Sequence, residues 1–135
     1  KAASCDEVMG KFADFIGDDN LLAHNASFDK KFLDAELDNI SRKYHGEFIC
    51  SLLVSRRINL DAPNHQLGTL IRHKNIPSDG AFHRALFDAE MTAKLWLTML
   101  DDIEEKIDHQ FVPFQLIQKL SKTPKSGVSK ILAKW

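Results

Sequence analysis

The alternation of apolar and polar positions divides the chain into short elements. Val8, Met9, Phe12, Phe15 and Ile16 recur at helical spacing, which predicts a first helix over residues 6–16. Ser4 precedes it and Glu7 stands three residues on, the pattern of a capping box. Gly17 and the polar run Asp18-Asp19-Asn20 end it in a turn. Leu21-Leu22-Ala23 is a short apolar run bounded by that turn and by His24-Asn25, and it reads as a buried strand. A second helix is expected from Phe28 to Ile40, capped by Ser27, with Phe32, Leu33, Leu37 and Ile40 on its inner face. Phe48-Ile49-Cys50 reads as a second buried strand. Helical patterns follow at 51–59 and 66–74, joined by the loop Ala62-Pro63-Asn64. Arg56-Arg57 suits the negative end of the first of these helices. Pro77, Asp79 and Gly80 mark another loop. Leu86, Ala89, Ala93, Trp96, Leu100, Ile103 and Ile107 then follow a 3-4-3-4 rhythm, which predicts one long helix with a buried stripe. A shorter helix is expected at 114–121, before a closing stretch that holds Ile131, Leu132 and Trp135.

Strands that alternate with helices predict an α/β fold. Two short strands are too few, because a two-stranded sheet is marginal and cannot organise this many helices. The expectation is that the sheet's remaining strands lie outside this stretch of sequence.

Composition narrows the class. The 135 residues fit one domain with an extension, and the 44% hydrophobic and 27% charged fractions are ordinary for a globular protein. The 18 Lys+Arg and 19 Asp+Glu residues nearly cancel, but unevenly. Residues 1–108 carry 13 basic and 19 acidic side chains, net −6, and residues 109–135 carry five lysines and no acid, net +5. An acidic body therefore bears a basic tail. Its lysines are 119, 122, 125, 130 and 134, and it reads either as an extra helix with a solvated end or as an arm that tracks phosphates or docks on a partner. Cys5 and Cys50 are too few for a disulfide scaffold and lack metal-site spacing, so a reducing cytoplasm is the expected compartment. Both are expected to pack as small hydrophobes. No apolar run approaches the length of a membrane span, and no signal peptide is visible. The first residue, Lys1, leads us to expect a longer gene product.

Two clusters carry candidate chemistry. His24-Asn25-Ala26-Ser27-Phe28-Asp29 falls where a buried strand gives way to a helix, the place where α/β sheets expose ligand sites. A plain strand–loop–helix joint, with Asp29 favoured by the helix dipole, explains it equally simply. His83-Arg84-Ala85-Leu86-Phe87-Asp88-Ala89 opens the long helix. His83 and Asp88, five apart, would diverge by about 140° on one helix, so they converge only if His83 lies on the preceding loop. Asp88 flanks the apolar stripe, where a carboxylate needs a partner or a metal. A solvated helix-start Asp and a loop His are the plainer alternative. His45, His65, His73 and His109 show no ligand-like clustering and are expected at the surface.

Taken together and in order, the clusters resemble the DEDDh 3'–5' exonucleases, the DnaQ-like group to which proofreading subunits of bacterial DNA polymerase III belong. His24-Asn25-Ala26-x-Phe28-Asp29-x-x-Phe32 is similar to the second exonuclease motif, and His83-x-Ala85-x-x-Asp88-Ala89 to the third. Asn64-His65-x-Leu67-x-x-Leu70 resembles the segment before the penultimate helix. The resemblance implies an RNase H-like α/β fold, a mixed sheet flanked by helices, with residues 1–108 its C-terminal part and 109–135 a basic extension. It implies Asp29 and Asp88 as ligands of two divalent cations, Mg2+ or Mn2+, and His83 as the general base. Such a pair of ions activates water and stabilises the leaving oxygen, and hard carboxylates suit them. His83 would titrate near neutrality, as a base should. His24, Asn25 and Phe28 would border the 3'-terminal nucleotide, with an aromatic ring available to stack on a base. His24 and Phe28 serve equally well as core residues.

One family element is absent from this sequence. The Asp-x-Glu pair of the first strand belongs upstream of Lys1, and Asp34-x-Glu36 falls inside a helix. If that strand is truly missing, the expectation is no metal-dependent activity and poorly soluble helix faces. The expected function is hydrolysis of single-stranded or frayed DNA 3' ends to nucleoside 5'-monophosphates in proofreading or repair, with polymerase subunits as partners and no membrane. An RNA exonuclease of the same superfamily, or a catalytically incomplete module that binds nucleic acid or a polymerase, are the alternatives.

Overall fold

The computed structural model describes residues 4–78, 85–107 and 111–135. Its first element is helix α1 (Cys5–Ile16), capped by the Ser4 hydroxyl, which accepts the Glu7 amide at 3.2 Å. Gly17, at φ 51°, ends it in a conformation that a side chain would strain. Strand β1 (Leu21–Ala23), helix α2 (Ala26–Asp38) and strand β2 (Phe48–Cys50) form a parallel β–α–β unit. Leu21, Leu22 and Ala23 stand opposite Phe48, Ile49 and Cys50.

Side chains alternate across so short a sheet. Leu21 and Phe48 face a small cluster of Ala13, Ile16, Leu33 and Leu37 from α1 and α2. Ile49 faces the main core. Entry to both strands is pinned by Tyr44, whose hydroxyl donates to the Asp19 carbonyl, while the Leu21 amide donates to Glu47 at 2.9 Å. Gly46 must be glycine here, because a Cβ would fall 2.7 Å from the Asp18 carbonyl oxygen and against the Tyr44 ring.

The main core is helical. It joins α3 (Ser51–Ile58), α4 (Leu67–His73), α5 (Ala85–Glu104), α6 (Phe114–Lys122) and α7 (Val128–Ala133), with a 3-10 turn at Lys125–Gly127. Val54, Leu70, Ile71, Leu95, Met99, Ile103, Leu116 and Leu120 are fully buried within it. The C-terminal residues are thus part of the packing: Leu116, Ile117, Leu120, Val128 and Leu132 all belong to this core. No helix among the described residues is long and apolar enough to cross a membrane.

Several expectations need correction. Asn25, not Ser27, is the N-cap of α2, and it lies in the left-handed region at φ 79°. Asparagine tolerates that region, so the helix starts two residues earlier than expected. Phe32 is 62% exposed rather than on the inner face of α2. The outer side of α1 also leaves Val8, Phe12 and Phe15 exposed, and only Ala13 and Ile16 are buried there. The buried line of α5 is Met91, Leu95, Met99 and Ile103, with Thr92. Trp96, Leu100 and Ile107 pack at its margin, whereas Leu86, Ala89 and Ala93 are exposed. This helix is apolar over most of its circumference, so periodicity alone selects no unique face. His65 and His73 are half-buried rather than at the surface, His73 beside Asp61 at 3.3 Å. His45 is exposed as expected, and His109, Asp79 and Gly80 lie outside the described residues.

The orientation of α5 has a direct test in urea unfolding. Leu95→Ala and Met99→Ala should each cost about 2–5 kcal/mol, as buried truncations do. Leu97→Ala, at a residue 63% exposed, should cost under about 0.5 kcal/mol.

Candidate active site

The site forms at the end of β1. A cavity of about 540 Å³ opens there, lined by His24, Asp29, Ala85, Asp88, Ala89 and Thr92 among others. Its two carboxylates come from first turns of different helices, α2 and α5. The fold therefore brings Asp29 and Asp88 to one cavity across 59 residues of sequence. Asp29 is exposed as a residue, yet its carboxyl is partly withdrawn from water. Burial raises its pKa from the ordinary value of 3.8, opposed by a bond from its own amide. His83 lies outside the described residues, and Ala85, the first described residue after it, lines the cavity.

His24 is held at both ring nitrogens. Nε2 lies 2.7 Å from the His65 carbonyl and Nδ1 lies 2.8 Å from Ser51 Oγ. A carbonyl only accepts, so Nε2 carries the proton and donates. In the neutral ring Nδ1 then accepts from the Ser51 hydroxyl. Ser51 Oγ also lies 3.3 Å from the Ala23 carbonyl, so charging the ring would reverse its role: Nδ1 would donate to Ser51, and Ser51 to Ala23. Burial and the charge of Arg56 depress the His24 pKa, against the opposing pull of the His65 carbonyl. The ring is neutral near pH 7.

A second chain of bonds supports the first. Asn59 Nδ2 donates to Ser55 Oγ at 3.1 Å, which leaves the Ser55 proton for His65 Nδ1 at 2.8 Å. Ser51, Ser55 and Asn59 are buried, and they recur every four residues along one face of α3 and its cap. Sequence reasoning missed all three. The signal was a Ser-x-x-x-Ser-x-x-x-Asn stripe on an otherwise apolar face. It also missed His65, which belongs to the loop leading into α4. Among the described residues no buried side-chain polar atom lacks a partner.

The remaining candidates lie close by. Asn25 joins His24 in the lining of a second cavity of about 520 Å³. Phe28 lines neither cavity and is 70% exposed in the first turn of α2. Cys50 is half-buried, and its sulfur accepts the Ala26 amide at 3.3 Å, which ties the start of α2 to the end of β2. Cys5 is exposed, contrary to the packing expected of it. Among the described residues no three His, Cys, Asp or Glu side chains gather closely enough to hold a metal by themselves. Asp29 and Asp88 line one cavity, and carboxylate oxygens are the hard donors that a divalent cation prefers.

The histidine clamp generates a pH dependence. His24 binds its proton less readily when folded than its ordinary pKa of 6.5 allows, so the unfolded chain takes up more protons below that value. The stabilisation is complete above 6.5 and is lost as pH falls toward the folded pKa. The depressed His65 acts in the same direction. Denaturant unfolding should show lower stability at about pH 5.5 than at about pH 7.5, and His24→Gln should flatten the difference. An unchanged pH dependence in that variant would show that His24 is not its source.

Comparisons with known proteins identify the family. The exonuclease family model RNase_T matches residues 1–96. A DNA polymerase III of PolC type from Listeria innocua is 36% identical over 107 residues, which is 78% of this chain and 7% of that protein. The PolC-type DNA polymerase III of Bacillus subtilis is 39% identical over 102 residues, 74% of this chain and 7% of the relative. The chain thus spans about 7% of the length of the curated relatives it matches. No solved structure gives a significant match. With an exonuclease model covering 96 residues and both motif carboxylates on one cavity, the chain belongs to the DnaQ-like exonuclease family.

Proposed function

We propose that this chain is the C-terminal part of a 3'–5' exonuclease domain of the DEDDh type, with residues 1–108 in the domain and 109–135 its basic extension. The parallel β1–β2 pair belongs, on this reading, to an RNase H-like mixed sheet. The substrate is a single-stranded or frayed DNA 3' end, and the context is polymerase proofreading or repair. DNA is favoured over RNA because the relatives are DNA polymerases by name. The observation that carries the reading is the meeting of Asp29 and Asp88 at one cavity beside the end of β1.

The reaction is attack of water on the terminal phosphodiester. The bond to the 3' oxygen of the penultimate nucleotide breaks, releasing a nucleoside 5'-monophosphate and leaving a new 3' hydroxyl. Asp29 and Asp88 would hold Mg2+ or Mn2+, which when bound would make water more acidic and neutralise charge at the leaving oxygen. His83 takes the proton from the attacking water. Asn25 and Phe28 border the terminal nucleotide. His24, neutral and fixed at both nitrogens, lines both cavities. A module that binds nucleic acid without cutting is the second reading, favoured by the absence of any third ligand clustered with these carboxylates among the described residues.

The test is a 5'-labelled single-stranded deoxyoligonucleotide incubated with Mg2+ or Mn2+ and this chain joined to an upstream strand that carries the Asp-x-Glu pair, since this chain without that pair is expected to cut little. The expected result is a ladder that shortens from the 3' end. His83→Ala should slow it by about 10²-fold or more. Asp29→Asn and Asp88→Asn should slow it at least as much while leaving the thermal midpoint nearly unchanged. Binding without cleavage would establish the second reading, and cleavage indifferent to Asp88→Asn would place the reaction elsewhere.

A further inference from the structure

The second cavity differs from the first in charge. It shares His24 and Leu67 with its neighbour, so the two adjoin. Asp29 and Asp88 line the first. Among the described residues the second has no acidic side chain in its lining: Arg56 stands there with the amides of Asn25, Asn64 and Gln66. Arg56 projects from the last turn of α3 and is exposed.

Lys125 adds a second cation from the extension. Its place is set by packing. Arg57 Nε donates to the Thr123 carbonyl at 3.0 Å, and its NH1 group donates to Leu53 at 2.9 Å, fastening the end of α6 to α3. Leu120 on one side of the turn and Val128 on the other are core residues. Lys125 is therefore held between two anchored helices, exposed, and two residues beyond the Thr123 carbonyl that binds Arg57, the neighbour of Arg56 in α3. Among the described residues neither Arg56 nor Lys125 has an ion-pair partner. Two uncompensated cations beside a carboxylate-lined cavity fit a polyanion with one end in that cavity.

We propose that Arg56 and Lys125 form a phosphate-binding ledge along the second cavity, which takes an internal phosphodiester of the strand whose 3' end occupies the first. The proposal rests on the exonuclease reading for the polarity of the strand. It makes the extension, which the family model does not cover, part of the nucleic-acid interface.

The experiment is anisotropy of a fluorescein-labelled ten-nucleotide oligothymidylate with the full chain in EDTA, across a salt series. Truncation at residue 110 is unsuitable because it removes core residues Leu116 and Leu120. Each single-strand phosphate contact adds about 0.7 to the slope of log K against log salt. Arg56→Gln with Lys125→Gln should reduce that slope by about 1.4 and weaken binding several-fold at about 0.1 M salt. Arg56→Lys, which keeps the charge, should retain most of the slope. The charge-matched pair Lys11→Gln with Lys43→Gln, from α1 and the segment after α2, should leave it unchanged. An unaltered slope in the ledge variant, or an equal loss in the control pair, overturns the ledge and leaves the exonuclease reading standing. A parent chain that binds no oligonucleotide also overturns the ledge, whereas the exonuclease reading stands or falls on the cleavage assay with metal.

Discussion

The His24 ring, bonded at both nitrogens, fixes where the rest of the site stands. β1 is only three residues long and ends at Ala23, so it cannot by itself orient the turn into α2. Ser51 at the start of α3 and the His65 carbonyl before α4 grip the next residue from two directions. Asn25 then turns the chain through the left-handed region into α2, which sets Asp29 in its first turn. A single ring thus couples the end of the strand, the start of α3 and the loop that walls the second cavity. Such a polar cluster is stabilising only when fully satisfied, because each orphaned buried group costs about 1–3 kcal/mol. Ser55 and Asn59 complete it.

Much of this is legible in the sequence, for identifiable reasons. Both strands stand out because their apolar runs are short and bounded by turn signals, and α1 because Ser4 and Glu7 mark its start. Asp29 and Asp88 can be paired only through motif order, since nothing local says that two carboxylates 59 residues apart share a cavity. The face of α5 is not legible because Leu86, Ala89 and Ala93 are as apolar as the residues that are buried. The start of α2 is obscured because Asn25 and Ser27 are equally good caps by propensity, and only the left-handed turn, which Asn25 tolerates, decides between them. The histidine–serine network is hidden because serine is ordinary at a surface. Only its four-residue recurrence hints at burial.

The two-stranded sheet would be marginal alone. Here it is stabilised by apolar layers on both sides, α1 and α2 against Phe48 and the helical core against Ile49. The layers are unequal. The larger is built from helices that come after β2 and includes α6 and α7, so the extension helps to secure the sheet that carries the site. One edge of β1 pairs with β2, and its other edge has no partner among the described strands. Leu86, 83% exposed on the α5 helix that packs against β1, shows the same uncovered character.

The near-zero net charge conceals a local arrangement rather than a simple division between body and tail. Because α6 and α7 are core helices, the lysines they and the intervening turn carry cannot move as an arm would. Lys119 sits over the Trp135 ring at 5.4 Å, and the turn that carries Lys125 is tied to α3 by the Arg57–Thr123 bond. Opposite charges are thereby held apart at short range, with carboxylates on one side of His24 and cations on the other. A neutral ring is the right partition between them. A charged His24 would repel Arg56, draw the nearby carboxylates, and reverse the bond order through Ser51. Burial and Arg56 itself favour the neutral form. The same bonds that set the geometry of the site therefore also preserve its division of charge.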